Sequence, residues 1–495
     1  MGTPNTNSYL KQGRYISTSF HHKSQFPLVV VSNREPFLLR ESSEGPFLEK
    51  TPGGVVSALE PVLRTMGGLW VHSAIQQGGM VDFPRIGPSG RGRTEPYSRQ
   101  SVQVDPIETR YFYEGYSNNV LWPLFHSFTE KVHNDDLDWR IYNSVNQKFA
   151  AQVTPQLSHE TVLWIHDYHF YLLPSLVDRA IKIGFSNHIP FPPFNILVKL
   201  PHHQEILKGM LGADLIGFQC DVDLINFLDC VQLTFGADVS IKDHDIQFKD
   251  RASRVVSSPV GIDFDLFDKM DKGGSRTDGS CLIRRSIKTR WIGLGVDRLG
   301  YTKGILEKLS ALECFFETYP GYRRQLAFVQ VLAPSRSGEI ENIEYKRLVE
   351  RSVDRINGKF GTDDWLPIHY HYKSFSAEGL ACFYDMADFY LATPLRDGMN
   401  LTAKEFIACK TDHSGALILS KYTGASEKLT EAFIVDPRSK GEVAEAVRDA
   451  LITDPRTLAR NMAQLRLKVK DQDVHWWAQG FLDSLRLLPD RLEHG

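Results

Sequence analysis

The sequence predicts an α/β protein of two Rossmann-like doubly wound halves facing a central cleft. Three observations carry that expectation. Apolar runs of strand length, bounded by turn residues, alternate with helical stretches in two separate series. Several runs end in a polar or glycine-containing loop that opens a helix, which is where open parallel sheets bind ligands. A chain of 495 residues is also too long for one ordinary core.

Composition narrows the function classes. The net charge is −3 with acidic and basic residues mixed, which argues against a nucleic-acid or membrane surface. No apolar run approaches membrane-spanning length and no signal-peptide core stands at the N-terminus, so the expected compartment is the cytoplasm. The six cysteines are scattered without a close pair and read as free thiols rather than disulfides or a zinc site.

In chain order, residues 1–26 are polar and aperiodic and read as a disordered tail, with His21 and His22 solvated. The first strand, Pro27 to Ser32, runs into Asn33-Arg34-Glu35-Pro36. Gly53-Gly54 then opens a helix reaching about Arg64, a candidate anion cradle with Arg34 nearby at a strand end. Residues 75–110 read as loops with short strands. Tyr111 to Phe128 is dense in aromatics and is either core or a sugar-binding wall, since Tyr113 and Trp122 stand among Ser117, Asn118 and Asn119. Two apolar strands follow, one ending in Asp167-Tyr168-His169 and one in His188; these side chains either line a ligand or hold two loops together as a polar pair. A strand at Ala213 to Phe218 precedes a helix from Asp221 to about Leu233.

The polar stretch Lys269 to Arg285 divides a domain 27–270 from a domain 285–473. The second series has strands at Trp291 to Val296, Leu326 to Ala333, near Ile368 and at Asp388 to Ala392, with helices from Ile305 and over Glu341 to Asn357. Arg298 and Lys303 share one strand-to-helix loop, where they either face a diphosphate or are solvated. Thr393 to Glu405 (TPLRDGMNLTAKE) reads as a glycine turn into a helix start capped by Asp397 or Asn400, whose N–H groups suit a phosphate. Glu405, one turn after Leu401, is placed for ribose hydroxyls. Only helices are expected beyond about residue 455, the last from Val474 to Leu488 with Trp476 and Trp477. With no GxGxxG fingerprint and no P-loop lysine, dehydrogenase and kinase readings give way to a cleft enzyme using a nucleotide-sugar.

Several stretches, in family order from about residue 28 to 485, together resemble the trehalose-6-phosphate synthases, retaining glycosyltransferases of GT-B architecture. They are SNR at Ser32 to Arg34, Gly53-Gly54, SNNVLWPLFH, WIHDYH, HIPFP, GFQ at Gly217 to Gln219, DRLGYTKG, APSR, RINGKFG at Arg355 to Gly361, and TPLRDGMNLTAKE. The resemblance implies transfer of glucose from a nucleotide-glucose, expected to be UDP-glucose, to glucose 6-phosphate with retention. It places Arg34, Tyr113, Trp122, Asp167 and Arg336 around the acceptor, and Asp167 and His188 along the sugar pocket. Gly54, Arg298 and Lys303 fall at the donor diphosphate, Asp397, Gly398, Met399 and Asn400 at the transferred sugar, Leu401 and Thr402 at a phosphate, and Glu405 at the ribose. Attack is expected from the front face, the leaving phosphate taking the acceptor's proton. Asp167, His188 and Asp397 therefore surround the reacting centre, and no protein nucleophile is assigned.

The resemblance further implies no cofactor and no metal, small-molecule substrates as partners, compatibility with a homo-oligomer, and a final segment 474–495 that crosses back to the first domain. A separate phosphatase is expected downstream, since the sequence ends soon after its last helix. Gly300, Ser73, Ser186-Asn187 and Glu427-Lys428 depart from the family pattern, which leaves the acceptor less defined than the donor. Glucosylglycerol-phosphate synthesis from glycerol 3-phosphate is the nearest alternative. A non-catalytic regulatory paralogue is a second, opposed by the retained Arg298, Lys303, Asp397 and Glu405.

Overall fold

The computed structural model describes residues 27–42, 45–51, 53–74, 96–177, 181–270, 283, 286–334 and 340–489. The expected tail, Arg336, Cys281 and most of the polar boundary stretch lie outside these described residues.

The first sheet contains β1 (Leu28–Val31), β4 (Leu69–Ala74), β5 (Ser98–Gln103), β6 (Val162–His166), β7 (Lys182–Ser186), β8 (Leu215–Phe218), β9 (Val239–Lys242), β10 (Asp245–Phe248) and β11 (Arg251–Ser257), in the order β5-β4-β1-β6-β7-β8-β11-β10-β9. Strands β1, β6 and β8 are buried along their whole length, as strands covered on both faces must be. Pairing is parallel from β5 to β11, and β10 and β9 add an antiparallel edge. A separate hairpin joins β2 (Phe37–Ser42) to β3 (Gly45–Lys50).

The second sheet is wholly parallel, in the order β14-β13-β12-β15-β16-β17. Its strands are β12 (Trp291–Arg298), β13 (Leu326–Ala333), β14 (Ile368–Tyr372), β15 (Phe389–Ala392), β16 (Ala416–Ser420) and β17 (Phe433–Val435). Strand order reverses between β1 and β6 in the first sheet and between β12 and β15 in the second. Those reversals open crevices at the carboxyl ends of the strands. The loops that leave these strands carry Arg34, Asp167, Lys303 and Asp397, and Arg298, expected in a loop, is the last residue of β12.

The aromatic stretch folds as a π-helix, Arg110–Leu121, continued by the helix Trp122–Phe125. The helix Asp221–Phe235 runs slightly past its expected end, and the long helix of the second half spans Ile340–Phe360. Helix Val474–Arg486 comes after the second sheet in sequence yet packs on the first. A Cβ added at Gly184 or Gly217, on neighbouring strands, would run into Phe481. Trp477 and Phe481 lie 4.9 and 5.1 Å from Trp164 between ring centroids. Each such buried ring contributes roughly 2–3 kcal/mol of hydrophobic free energy. Asp473 caps the helix by accepting from Trp476 N at 2.8 Å, and Lys182 Nζ donates to Leu488 O at 2.7 Å. Among the described residues no helix is long and apolar enough to cross a membrane.

Candidate active site between the two sheets

The two crevices face one another across direct contacts. A Cβ at Gly54, the first residue of helix Gly54–Met66, would lie 3.4 Å from Leu401 Cδ1, the first residue of helix Leu401–Cys409. Two helix N-termini therefore converge, each with unpaired N–H groups and a positive dipole end. Gly398 is tucked beneath the carbonyl of His188, which a methyl at that position would overlap. Arg396 donates from Nη1 to Ser127 Oγ at 3.2 Å and from Nη2 to Phe191 O at 3.4 Å. Tyr301 meets Phe128 edge-on at 5.1 Å, and the buried Lys404 ammonium donates to Val260 O at 2.7 Å. Burial lowers that ammonium to a pKa of about 8.

Arg34 from the first wall and Arg298 from the second flank the Tyr113 hydroxyl. Burial by itself raises Tyr113, but the charge and hydrogen bond of Arg34, a hydrogen bond with Asn118 and the charge of Arg298 together carry it below its ordinary pKa. Arg298 retains solvent access. Its pKa is nonetheless lowered, first by desolvation within the cleft and then by the Arg34 guanidinium. Two guanidinium charges acting on one phenol suit an oxyanion with several acceptor oxygens. Tyr168 donates to Asn118 Oδ1 at 3.0 Å and steadies the amide behind the phenol.

On the second wall Asp397 Oδ2 accepts from Lys303 Nζ at 2.7 Å and from Asn400 Nδ2 at 3.2 Å. Asn400 sits at φ 75°, a left-handed conformation that asparagine tolerates better than most residues. Its Oδ1 accepts from Ala403 N at 3.1 Å, so Asn400 caps the helix and Asp397 is left to hold Lys303. Thr402 Oγ1 also donates to Asn400 Oδ1, at 3.1 Å. The turn is braced from below, with Asp397 N donating to Tyr422 O, Gly424 N to Gly398 O and Ala425 N to Met399 O. Glu405 accepts from Tyr384 Oη at 2.8 Å, and burial pushes its carboxyl up to about 7.

On the first wall Asp167 stands at φ 76° and is buried. Desolvation raises its carboxyl to about 7 against the opposing pull of N–H groups from Tyr168 and His188 and of the Arg34 charge. Asp167 bonds the main chain of His188, whose N donates to Oδ1 at 3.3 Å, rather than its ring. The ring instead shares a hydrogen bond between its Nε2 and His166 Nδ1 at 3.0 Å. Trp122 is half-buried, with its ring 4.1 Å from that of His126. Of the expected site residues only Arg336 falls outside the described set.

Three residues at the cleft escape the sequence reading. His166 carries a legible signal, a polar residue inside a buried strand. His126 is buried beside Lys303, Arg396 and Asp397, and desolvation lowers its pKa to about 3. Arg396 lies within TPLRDG but bonds residues more than 200 positions away. The departures from the family pattern are locally satisfied. Ser73 Oγ donates to Asn33 O at 2.6 Å, Ser186 Oγ accepts from Trp164 Nε1 at 2.9 Å, and Asn187 Oδ1 accepts from Tyr171 Oη at 2.7 Å. Glu427 Oε2 accepts from Asp221 N at 3.2 Å across the cleft, and open space surrounds Gly300 where a Cβ would stand.

The profile of glycosyltransferase family 20 matches residues 27–487. A bifunctional trehalose-6-phosphate synthase/phosphatase of Thermoproteus tenax is 37% identical over 466 residues, covering 92% of this chain and 63% of its own length. The trehalose-6-phosphate synthase of Mycobacterium sp. strain KMS is 35% identical over 474 residues, covering 92% of this chain and 94% of its own. The crystal structure of an α,α-trehalose-phosphate synthase (UDP-forming) from Burkholderia xenovorans in complex with glucose-6-phosphate superposes with a TM-score of 0.84 at 29% identity, over 93% of this chain and 99% of that one. Two facing α/β sheets, a cation cluster at their switch points and these likenesses over nearly the whole length agree: the chain belongs to glycosyltransferase family 20, the trehalose-6-phosphate synthase family.

Proposed function

We propose that the protein transfers glucose from UDP-glucose to glucose 6-phosphate with retention, forming α,α-trehalose 6-phosphate and UDP. The observation that carries this reading is the Arg34–Tyr113–Arg298 cluster, which draws on both walls and lies beside two converging helix N-termini. The names of the mycobacterial and Burkholderia relatives support the same reaction.

In this reading Arg34, Tyr113, Trp122, Asp167 and Arg336 serve the acceptor, with the Arg34 guanidinium and Tyr113 hydroxyl taking its phosphate. Gly54, Arg298, Lys303 and the N–H groups of Leu401 and Thr402 serve the donor diphosphate. Fixed cations and helix N–H groups stabilise the charge that develops as the sugar–phosphate bond breaks. Asp397 fixes Lys303 and, with Gly398, Met399 and Asn400, takes hydroxyls of the transferred glucose, while Glu405 takes those of the ribose. Asp167 and His188 orient the sugars from the first wall. The acceptor hydroxyl attacks on the face the diphosphate leaves, and a phosphate oxygen of the leaving group takes its proton, so no side chain is needed as nucleophile.

The division of labour, with the acceptor on residues 27–270 and the donor on 285–473, is part of the proposal. So is a cytoplasmic setting, supported by five free cysteines among the described residues. The product is a phosphate monoester and would be the substrate of a phosphatase.

The test is incubation of the purified protein with UDP-glucose and, in parallel, glucose 6-phosphate or glycerol 3-phosphate, with UDP release measured and the product identified by NMR. An α,α-linked disaccharide phosphate is expected. Glucosylglycerol phosphate as the preferred product, or UDP release with neither acceptor, overturns the reading.

A further inference from the structure

We infer that His166 is a positioning residue that fixes His188 in the tautomer that presents an Nδ1–H donor to the cleft. His188 is partly exposed, and its Nε2 is 3.0 Å from His166 Nδ1, with the two rings stacked at 5.3 Å. Burial keeps both imidazoles neutral, His188 lowered to about 4 and His166 well below its ordinary value. Two neutral rings share one proton in such a bond, so one nitrogen donates and the other accepts.

The orphaned atoms behind the pair decide which. His166 has no solvent exposure, and its Nε2 has no partner. Trp477 Nε1, on a ring 6.1 Å from that of His166, is likewise buried without a partner. If His166 accepted at Nδ1, its Nε2 would carry a hydrogen, adding a second buried N–H donor without an acceptor to that of Trp477. If His166 donates at Nδ1, its Nε2 is a bare lone pair and Trp477 alone keeps an unmatched N–H. The second arrangement leaves one buried unsatisfied donor fewer. His188 then accepts at Nε2 and carries its proton on Nδ1, the ring atom left for the cleft. The complementary chemistry is an oxygen acceptor, a sugar hydroxyl or a phosphate oxygen.

Trp477 belongs to the helix Val474–Arg486, anchored to the first sheet by Val474 N donating to Ile262 O at 2.9 Å. A helix that follows the second sheet thus packs an indole against the His166 and His188 rings of the first wall. The tautomer stands independently of the reaction proposed above, whereas its catalytic consequence rests on that reading.

The experiment is a long-range 1H–15N correlation spectrum of the full, substrate-free chain labelled with 15N-histidine, with signals assigned from His166→Asn and His166→Leu. Protonated Nδ1 on both His166 and His188 is expected, and protonated Nε2 on His188 overturns the proposal. In the transfer assay His166→Leu should lose roughly 10- to 100-fold in kcat, with KM for the sugar phosphate changed less than about threefold. His166→Asn, whose Nδ2 stands near the position of Nδ1, should recover most of that loss. An unchanged kcat in His166→Leu removes the positioning role. Should His166→Leu fail to fold, the wild-type spectrum still decides. If the wild type transfers no glucose, the proposed reaction falls while the tautomer reading stands or falls on the spectrum.

Discussion

The two walls of the cleft share a topology and differ in electrostatics. On the first wall, past Arg34, the titratable groups are buried and held toward neutrality: Asp167 is raised to about 7, and His188 and His169 are lowered to about 4 and 3. On the second wall Glu405 is raised like Asp167, but the cations there are paired with carboxylates, Lys303 on Asp397 at 2.7 Å and, behind β12, the fully buried Lys308 on Asp297 at 2.6 Å. The difference matches what each wall would meet. A neutral sugar is best held by uncharged donors and acceptors that cost little to desolvate, whereas a diphosphate needs cations fixed before it arrives.

The largest expected effect tests the charged side. Arg298→Ala should lower kcat/KM about 10³-fold with little change in Tm. A loss below tenfold in initial-rate assays of UDP release would take Arg298 out of leaving-group stabilisation. Next comes the fit between walls. Gly398→Val places carbon where the His188 carbonyl stands, and the wedge should cost roughly 10²-fold in kcat. Substrate affinities and kcat both at wild-type levels would show that the walls need not meet at this point.

A third prediction addresses the neutral side through pH. A carboxyl whose pKa is raised on folding binds its proton more tightly folded than unfolded. It therefore supports the fold at low pH and loses that support as pH rises from its unfolded value toward about 7. Asp167→Asn removes this contribution but leaves that of Glu405, also raised to about 7. Between pH 5 and pH 8 the wild type should lose more stability than the variant by about 1–3 kcal/mol. Parallel curves in urea melts at the two pH values would place a charged Asp167 on the first wall. The smallest effect is expected at Gly300, whose φ of 171° is ordinary extended backbone and whose Cβ direction is open. Gly300→Asp should shift stability by less than about 0.5 kcal/mol, and an acceptor KM altered more than about tenfold would make this position a specificity determinant.

The strands that build the site were legible because they are short, wholly apolar runs ending in polar loops, as LVVV at β1 and VLWIH at β6 show. Strands with mixed faces were not, and the edge formed by β9 and β10, buried on alternate residues only, carries no comparable run. Asp397 and Asn400 could not be told apart as caps from the sequence, since both residue types cap helices well; the left-handed backbone at Asn400 made the choice. Contacts spanning the cleft were beyond reach for a different reason. Arg396 with Ser127, or Lys404 with Val260, depend on how two separately readable halves dock.

The seating of Val474–Arg486 on β7 and β8 has a consequence for synthesis. Lys182 reaches a carbonyl 306 residues downstream, and Trp164 finds Trp477 and Phe481 only after nearly everything between has been translated. During elongation the early lobe therefore leaves the ribosome with an aromatic face uncovered, and its maturation waits for the late helix. A chain truncated near residue 470 would display that face to chaperones, while a released chain that includes Val474–Arg486 would hide it.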